Sequence, residues 1–241
     1  MKITVREMSK SDWDKIPNEE KLFYIYVGHL RNEITILRKL LYISLNNVDE
    51  NEVVSTVNGS QKLILIKILF GKFEEGWKFL KKGKYKVAEK IKSDLYEKSQ
   101  VAYDWLNGYF IDVNKTLAHK IRHNFAFHYQ TFYTENQISK INDDAIFEVF
   151  FADKPINYFF AFSEEIMWLS LRDEIVENDN EKSIQVIVDE TQLLADKFSD
   201  FCNGCILYMF NKYSSNSETR EILISDVKQY KEPKIPFFLE D

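Results

Sequence analysis

The sequence predicts an all-α protein: an antiparallel helical bundle with a small β-hairpin insertion and a long C-terminal helix. Three observations carry this reading. The chain of 241 residues holds only 7 Gly and 4 Pro, against ordinary usage of about 7% and about 5%. Sandwiches, barrels and nucleotide-binding α/β sheets spend those two residues on their many turns. No proline occurs between Asn18 and Lys154, and within that span apolar residues recur at i, i+3 and i+4, the spacing of a helix with one buried face. With 19 Phe, 13 Tyr and 4 Trp to bury, the chain is folded rather than disordered. Its length allows one large domain or two small ones, and no Pro/Gly/Ser linker divides it, so a single domain is expected.

The elements follow in order. A first helix runs from about Glu19 to Asn46, with Asn18 after Pro17 as its N-cap and Leu22, Phe23, Tyr26, Leu30, Ile34, Leu37 and Leu41 as its stripe. A polar link, Asn47–Asn51, leads to a second helix over Glu52–Lys82, frayed near Asn58–Gly59 and stopped by Gly83. Its crowded apolar positions mark burial on more than one side. A third helix covers Val87–Leu106 and a fourth Val113–Tyr129; four helices with short connections make an antiparallel bundle. Beyond Phe132 the pattern changes. Phe147–Phe151 and Tyr158–Phe162 flank a turn in which Pro155 biases Lys154 toward extended geometry, a β-hairpin signature. Ser163 then caps a helix to about Glu177, a long helix covers Ser183–Tyr213, and Ser214–Asp241 is irregular and wraps the surface. Residues 19–129 form the helical core on this reading, with the hairpin and helices of 137–241 packed on it.

Several function classes are set aside. Met1–Ile16 lacks the apolar core of a signal peptide. The most apolar run, Leu63–Phe70, carries Lys67 and falls short of the ~20 residues of a membrane span. The only cysteines, in Cys202-Asn-Gly-Cys205, fit a reducing cytoplasm. Four-ligand zinc would need a second such pair and a redox motif would follow a strand, so buried reduced thiols are expected. Gly71 and Gly76 have the spacing of a P-loop, but Trp77-Lys78 follow and the segment reads as mid-helix. His119 and His123 stand four apart and could reach one metal, yet position 120 is Lys and no acid lies near in sequence. A solvated helix face is expected there, with no metal and no cofactor.

One stretch carries chemistry. Three of the four histidines lie between positions 119 and 128, beside Lys115, Lys120 and Arg122, and no acid occurs from Val113 to Gln130. On a regular helix Leu117, Ile121, Asn124 and His128 fall within about 60° of one another, so an apolar stripe ends in an Asn and a His. A polar pair on an apolar face needs partners or a task.

Arg122, His123 and then His128 make R-x5-H, in the string Ile121-Arg-His-Asn-Phe-Ala-Phe-His-Tyr129. This resembles the R-x(4–6)-H signature of the HEPN (higher eukaryotes and prokaryotes nucleotide-binding) superfamily, and the "IRN-x-x-AFHY" form of bacterial HEPN-like proteins. The resemblance implies a dimerising helical bundle, often a metal-independent endoribonuclease of toxin or abortive-infection systems, with RNA or nucleotide as ligand and an antitoxin or defence-system partner. It implies Arg122 and His128 as catalytic residues, with His123, Asn124 and Tyr129 supporting them. The residue types suit the reaction. Histidine serves as base or acid near neutral pH, and the planar fork of arginine holds phosphate oxygens. One histidine cannot fill both proton roles at once, and a two-fold homodimer supplies the second copy. Two departures matter. Arg122 and His128 lie about 120° apart on a regular helix, so their convergence requires a distorted helix or an arginine reaching across the dimer. Gln130 stands where the H-x-Y of nucleotidyltransferase-paired toxins has tyrosine, which argues against that partnership.

Charge supplies a second line. Lys78–Lys92 holds seven Lys and one acid, Glu89, whereas Asp173–Glu190 is acidic. The ordinary reading of the basic run is a solvated helix end. Placed beside the motif, Lys81, Lys82, Lys84 and Lys86 together with Lys115 and Lys120 would form an RNA-backbone track. The alternative to an enzyme is a non-catalytic HEPN-like module binding nucleotide, RNA or a protein partner.

Overall fold

The longest apolar stripes become the longest helices. The computed structural model describes residues 1–46, 51–82, 86–126, 131–215, 219–225, 227–229 and 232–239. In chain order these form β1 (Lys2–Arg6), α1 (Lys10–Lys15), α2 (Asn18–Leu45), α3 (Glu52–Lys82), α4 (Val87–Ile91) and α5 (Glu97–Tyr109). There follow α6 (Leu117–Ile121), α7 (Thr131–Ile138), α8 (Ala161–Ile175), α9 (Asn180–Tyr213) and β2 (Thr219–Leu223). The protein is an all-α helical bundle with, among the described residues, one two-stranded antiparallel sheet, β1 on β2.

α3 lies against α2 along one side and against α6 on another, and α9 packs on α2 and α5. Aromatic side chains from three of these helices meet at the centre. Phe73 of α3 stacks on Phe198 of α9 at 5.4 Å, and Trp77 is ringed by Tyr103, Phe110, Phe198 and Phe201. α9 is thus part of the central core rather than an addition to a core made by 19–129. Burial of such rings dominates the energy of a core, and it explains the crowded apolar pattern of α3. The segment Glu52–Lys81 is long and apolar enough to cross a bilayer by length and composition. Its Leu69, Phe70, Phe73 and Trp77 are buried in the protein's own core instead.

Several boundaries differ from the expectations. Pro17, not Asn18, is the N-cap of α2, its carbonyl accepting from Lys21 N at 2.9 Å. α3 runs unbroken through Asn58–Gly59, where Asn58 is buried. The third predicted helix is interrupted: α4 passes into a 3-10 turn at Lys92–Asp94, and Leu95 turns extended to bury its side chain. Gln100 Nε2 donates to the carbonyl this break frees at Leu95, 2.7 Å away. The fourth predicted helix is likewise divided, into a 3-10 turn at Val113–Lys115, then α6 and a π-helical turn. The predicted hairpin reduces to one antiparallel bridge, Phe150 with Phe159, around a 3-10 turn at Pro155–Asn157. α8 starts at Ala161, so Ser163 is not its cap. The C-terminal stretch contributes β2, whose partner β1 lies in an N-terminal segment for which no element was expected. The link at 47–50 and the stop at Gly83 lie outside the described residues. Cys202 and Cys205 are buried and unbridged, and burial pushes the Cys202 thiol up to about 12.

Asp173 fastens α7 and the turn after α8 onto α8 itself. It accepts from Gln137 Nε2 at 2.6 Å, Arg172 Nε at 2.7 Å, Asn178 N at 3.2 Å and Lys140 Nζ at 3.2 Å. Burial alone would raise its pKa, but these donors outweigh it and bring the carboxyl down to about 2. A carboxyl held below its unfolded value of about 3.9 stabilises the fold above that pH and ceases to do so as pH falls through the folded value. Asp173→Asn is therefore expected to melt below the wild type at neutral pH, with the gap closing as pH falls from about 4 toward about 2. Paired thermal melts across that range check it.

Candidate active site around Arg122

The motif stretch begins with a regular turn and then loses regularity. Thr116 caps α6, its Oγ1 accepting from His119 N at 3.1 Å, and Tyr109 Oη accepts from Ala118 N at 3.3 Å. After Ile121 the chain widens into a π-helical turn over Arg122–Ala126. Such turns are rare and concentrate at functional sites. The separation of about 120° between Arg122 and His128 belongs to a regular helix, and Arg122–Ala126 is not one. His128, Tyr129 and Lys84, and the side chain of Lys82, lie outside the described residues.

Opposite the π turn stands α3, and there the structure places an acid. Glu74 is 0% exposed. Its Oε1 lies 3.2 Å from His119 Nδ1 and 3.6 Å from Arg122 Nη1, and it also accepts from Lys78 Nζ. Burial pushes Glu74 up, but the hydrogen bonds of Lys78 and His119 and the charges of Lys78 and Arg122 outweigh it and hold the carboxyl below its ordinary range. An ionised carboxylate only accepts, so His119 presents Nδ1–H to Glu74, which in the neutral ring leaves Nε2 as acceptor. The rings of His119 and His123 stack at 5.2 Å and 8°. Arg122 Nη2 completes the cluster at 2.7 Å from Glu75, whose side chain is half exposed. Glu74 Oε2 and Arg122 Nε are buried with no hydrogen-bond partner among the described residues, two unsatisfied atoms in one cluster where native proteins average a few per hundred residues.

The sequence-predicted residues are therefore partly assembled. Arg122 and His123 sit together on the π turn beside His119, and Asn124 is buried toward the core. The reading of His119 as part of a solvated face fails, because its ring is half-buried on a carboxylate that sequence distance had hidden. The predicted basic track is largely matched by local acids: Lys120 with Glu174 at 3.0 Å, Lys115 with Asp112 at 2.9 Å and Lys86 with Glu89 at 3.8 Å. Lys81 is exposed. Lys78 is the lysine that the structure brings to Arg122's cluster. Glu74 and Lys78 were missed, although the sequence carried a signal: Glu74 falls four residues after Phe70 and three before Trp77, on the buried stripe of α3. A carboxylate at such a position requires cations.

Comparison with family models, curated proteins and solved structures finds no match to this chain. The fold and cluster define it as an all-α helical bundle with a buried, multiply paired carboxylate beneath a π-helical turn.

Proposed function

We propose that the protein is a HEPN-like, metal-independent endoribonuclease acting as a homodimer in the cytoplasm, of the toxin or abortive-infection type. The observation that carries this reading is the pairing of Arg122, on a distorted helix, with a buried carboxylate 3.6 Å away that also holds His119. Such support from groups behind the reacting residues is what a catalytic arginine needs in order to hold one geometry. In the reaction, His128 of one protomer takes the proton from the ribose 2′-hydroxyl as its oxygen attacks the adjacent phosphorus. Arg122 bonds the phosphorane oxygens, and the second His128 protonates the departing 5′-oxygen. The products carry a 2′,3′-cyclic phosphate and a 5′-hydroxyl. Phosphate displaces Glu75, whose own side chain is half exposed, while Glu74 stays in place. Asn124 and Tyr129 orient imidazole and substrate, and Lys81, Lys82, Lys84 and Lys86 follow the RNA backbone with Lys115 and Lys120.

The test is cleavage of structured and single-stranded RNAs in excess EDTA, reading end groups. The wild type is expected to give cyclic-phosphate ends, with Arg122→Ala and His128→Ala each at least about a hundredfold slower. Activity that survives in His128→Ala, or no cleavage of any RNA by the wild type, favours the second reading, a non-catalytic module that binds RNA, nucleotide or a protein partner. One observation speaks for that alternative: both terminal nitrogens of Arg122 already face carboxylates, Glu74 and Glu75.

A further inference from the structure

A cavity of about 810 Å³ opens between the first half of α3, α8 and α9. It is separate from the Arg122 cluster: its lining on α3 ends at Ile66, about 12 Å along the helix axis from Glu74. The volume falls within the roughly 300–1,000 Å³ of sites that bury small organic molecules. Leu63, Ile66 and Ile187 make a buried apolar floor, and Trp168 stands in the wall. The charge is one-sided. Among the described residues, Glu52, Glu148, Glu164 and Glu165 line the cavity against a single cation, Lys62. Lys67, buried on α3, is a cation that Glu164 acts on electrostatically. Glu164 nonetheless keeps one oxygen, Oε2, buried and without a hydrogen-bond partner among the described residues. Nucleotides and RNA carry the wrong charge for these walls, and a neutral apolar molecule would leave the excess of carboxylates over lysines unanswered.

We propose that this cavity binds an organic cation with an apolar body, an alkyl- or arylammonium. Its hydrocarbon lies on Leu63, Ile66 and Ile187, and its charge is met by Glu164 and by the ring face of Trp168, an attraction available to ammonium groups near aromatic rings. The site does not depend on the ribonuclease reading, since it shares no residue with the Arg122 cluster.

Calorimetric titration of the full chain with octylammonium, octanol and octanoate tests the assignment. Octylammonium is expected to bind at least about tenfold more tightly than octanol, with octanoate weakest. Glu164→Gln is expected to remove most of the preference for the cation. Gly59 supplies a variant that leaves the fold intact. It lies in the cavity wall within α3, and a Cβ added there meets nothing within 4 Å. Gly59→Leu should hold or raise the melting temperature, because leucine favours helix over glycine, while its side chain enters the cavity and weakens octylammonium about tenfold or more. Octanol or octanoate binding as tightly as octylammonium, no binding of the cation by the wild type, or unchanged binding in Gly59→Leu would each overturn the proposal.

Discussion

Glu74→Gln is expected to lower the melting temperature by roughly 10 °C. Glu74 is fully buried and faces Lys78, His119 and Arg122. Replacing it with the neutral isostere leaves these groups beside an amide, and removing one partner of a buried ionic cluster costs about 3–5 kcal/mol. All three partners retain some contact with water, which favours the lower end, about 3 kcal/mol. A chain of this size melts about 2–4 °C lower per kcal/mol. The control lies one residue away. Glu75→Gln removes an ion pair whose acid is half exposed, and its effect should stay within about 1 kcal/mol. The pH dependence gives a second readout. Glu74's pKa is depressed by its partners, so its stabilisation is present at neutral pH and fades as acid is added; the Gln variant should lose that acid-dependent part. If the ribonuclease reading holds, Glu74→Gln also cleaves RNA more slowly, whereas an effect confined to melting would assign the cluster to the fold alone.

The second large effect comes from a helix crossing. Gly204 lies on α9 where it meets α5, and a Cβ built there would fall far inside contact distance of the Ser99 side chain. Ser99 cannot retreat without loss, because its Oγ donates to Asp200 O at 2.9 Å across the same crossing. Gly204→Ala is therefore expected to destabilise by about 2 kcal/mol, the usual cost of forcing atoms into a packed interior, lowering the melting temperature by roughly 4–8 °C. Gly108 on α5 is the counterpart of opposite sign. A Cβ there meets nothing within 4 Å, so Gly108→Ala should gain up to about 1 kcal/mol from helix propensity alone. Thermal melts of the two variants side by side separate packing from propensity. Two losses, or two gains, would contradict the crossing geometry.

The long helices were legible because their signal is local and repeats. α2, α3 and α9 each carry many turns of apolar residues, and their bounds fall within a few residues of the spacing pattern. The misses share a different character. The break at Leu95 depends on a carbonyl being answered by Gln100 five residues on, a local bond that leaves no periodic trace. The bridge of Phe150 and Phe159 is too short to impose alternation, so aromatic runs overstated it. In the site, Arg122, His123 and Asn124 were legible as a motif, since residue type alone marks them. Glu74 was not, because its meaning depends on α3 packing against α6, a contact between residues far apart in sequence. The motif requires either a distorted helix or an arginine reaching across a dimer, and no residue in the sequence forces the π turn.

The pairing of β1 with β2 has a consequence for how the chain reaches its fold. The helices can form from contacts between near neighbours, which are quick to make. The sheet instead joins Lys2–Arg6 to Thr219–Leu223, and closing so long a loop is entropically costly until something else has brought its ends together. That something is the bundle: α1 and α9 meet beside the strands, and Asp12 binds Ser215 across the gap, N to Oδ2 at 3.0 Å. Every residue of β2 is exposed, so little apolar burial holds the strand once formed. The sheet is therefore expected to assemble last and open first, a latch on a bundle that is already built.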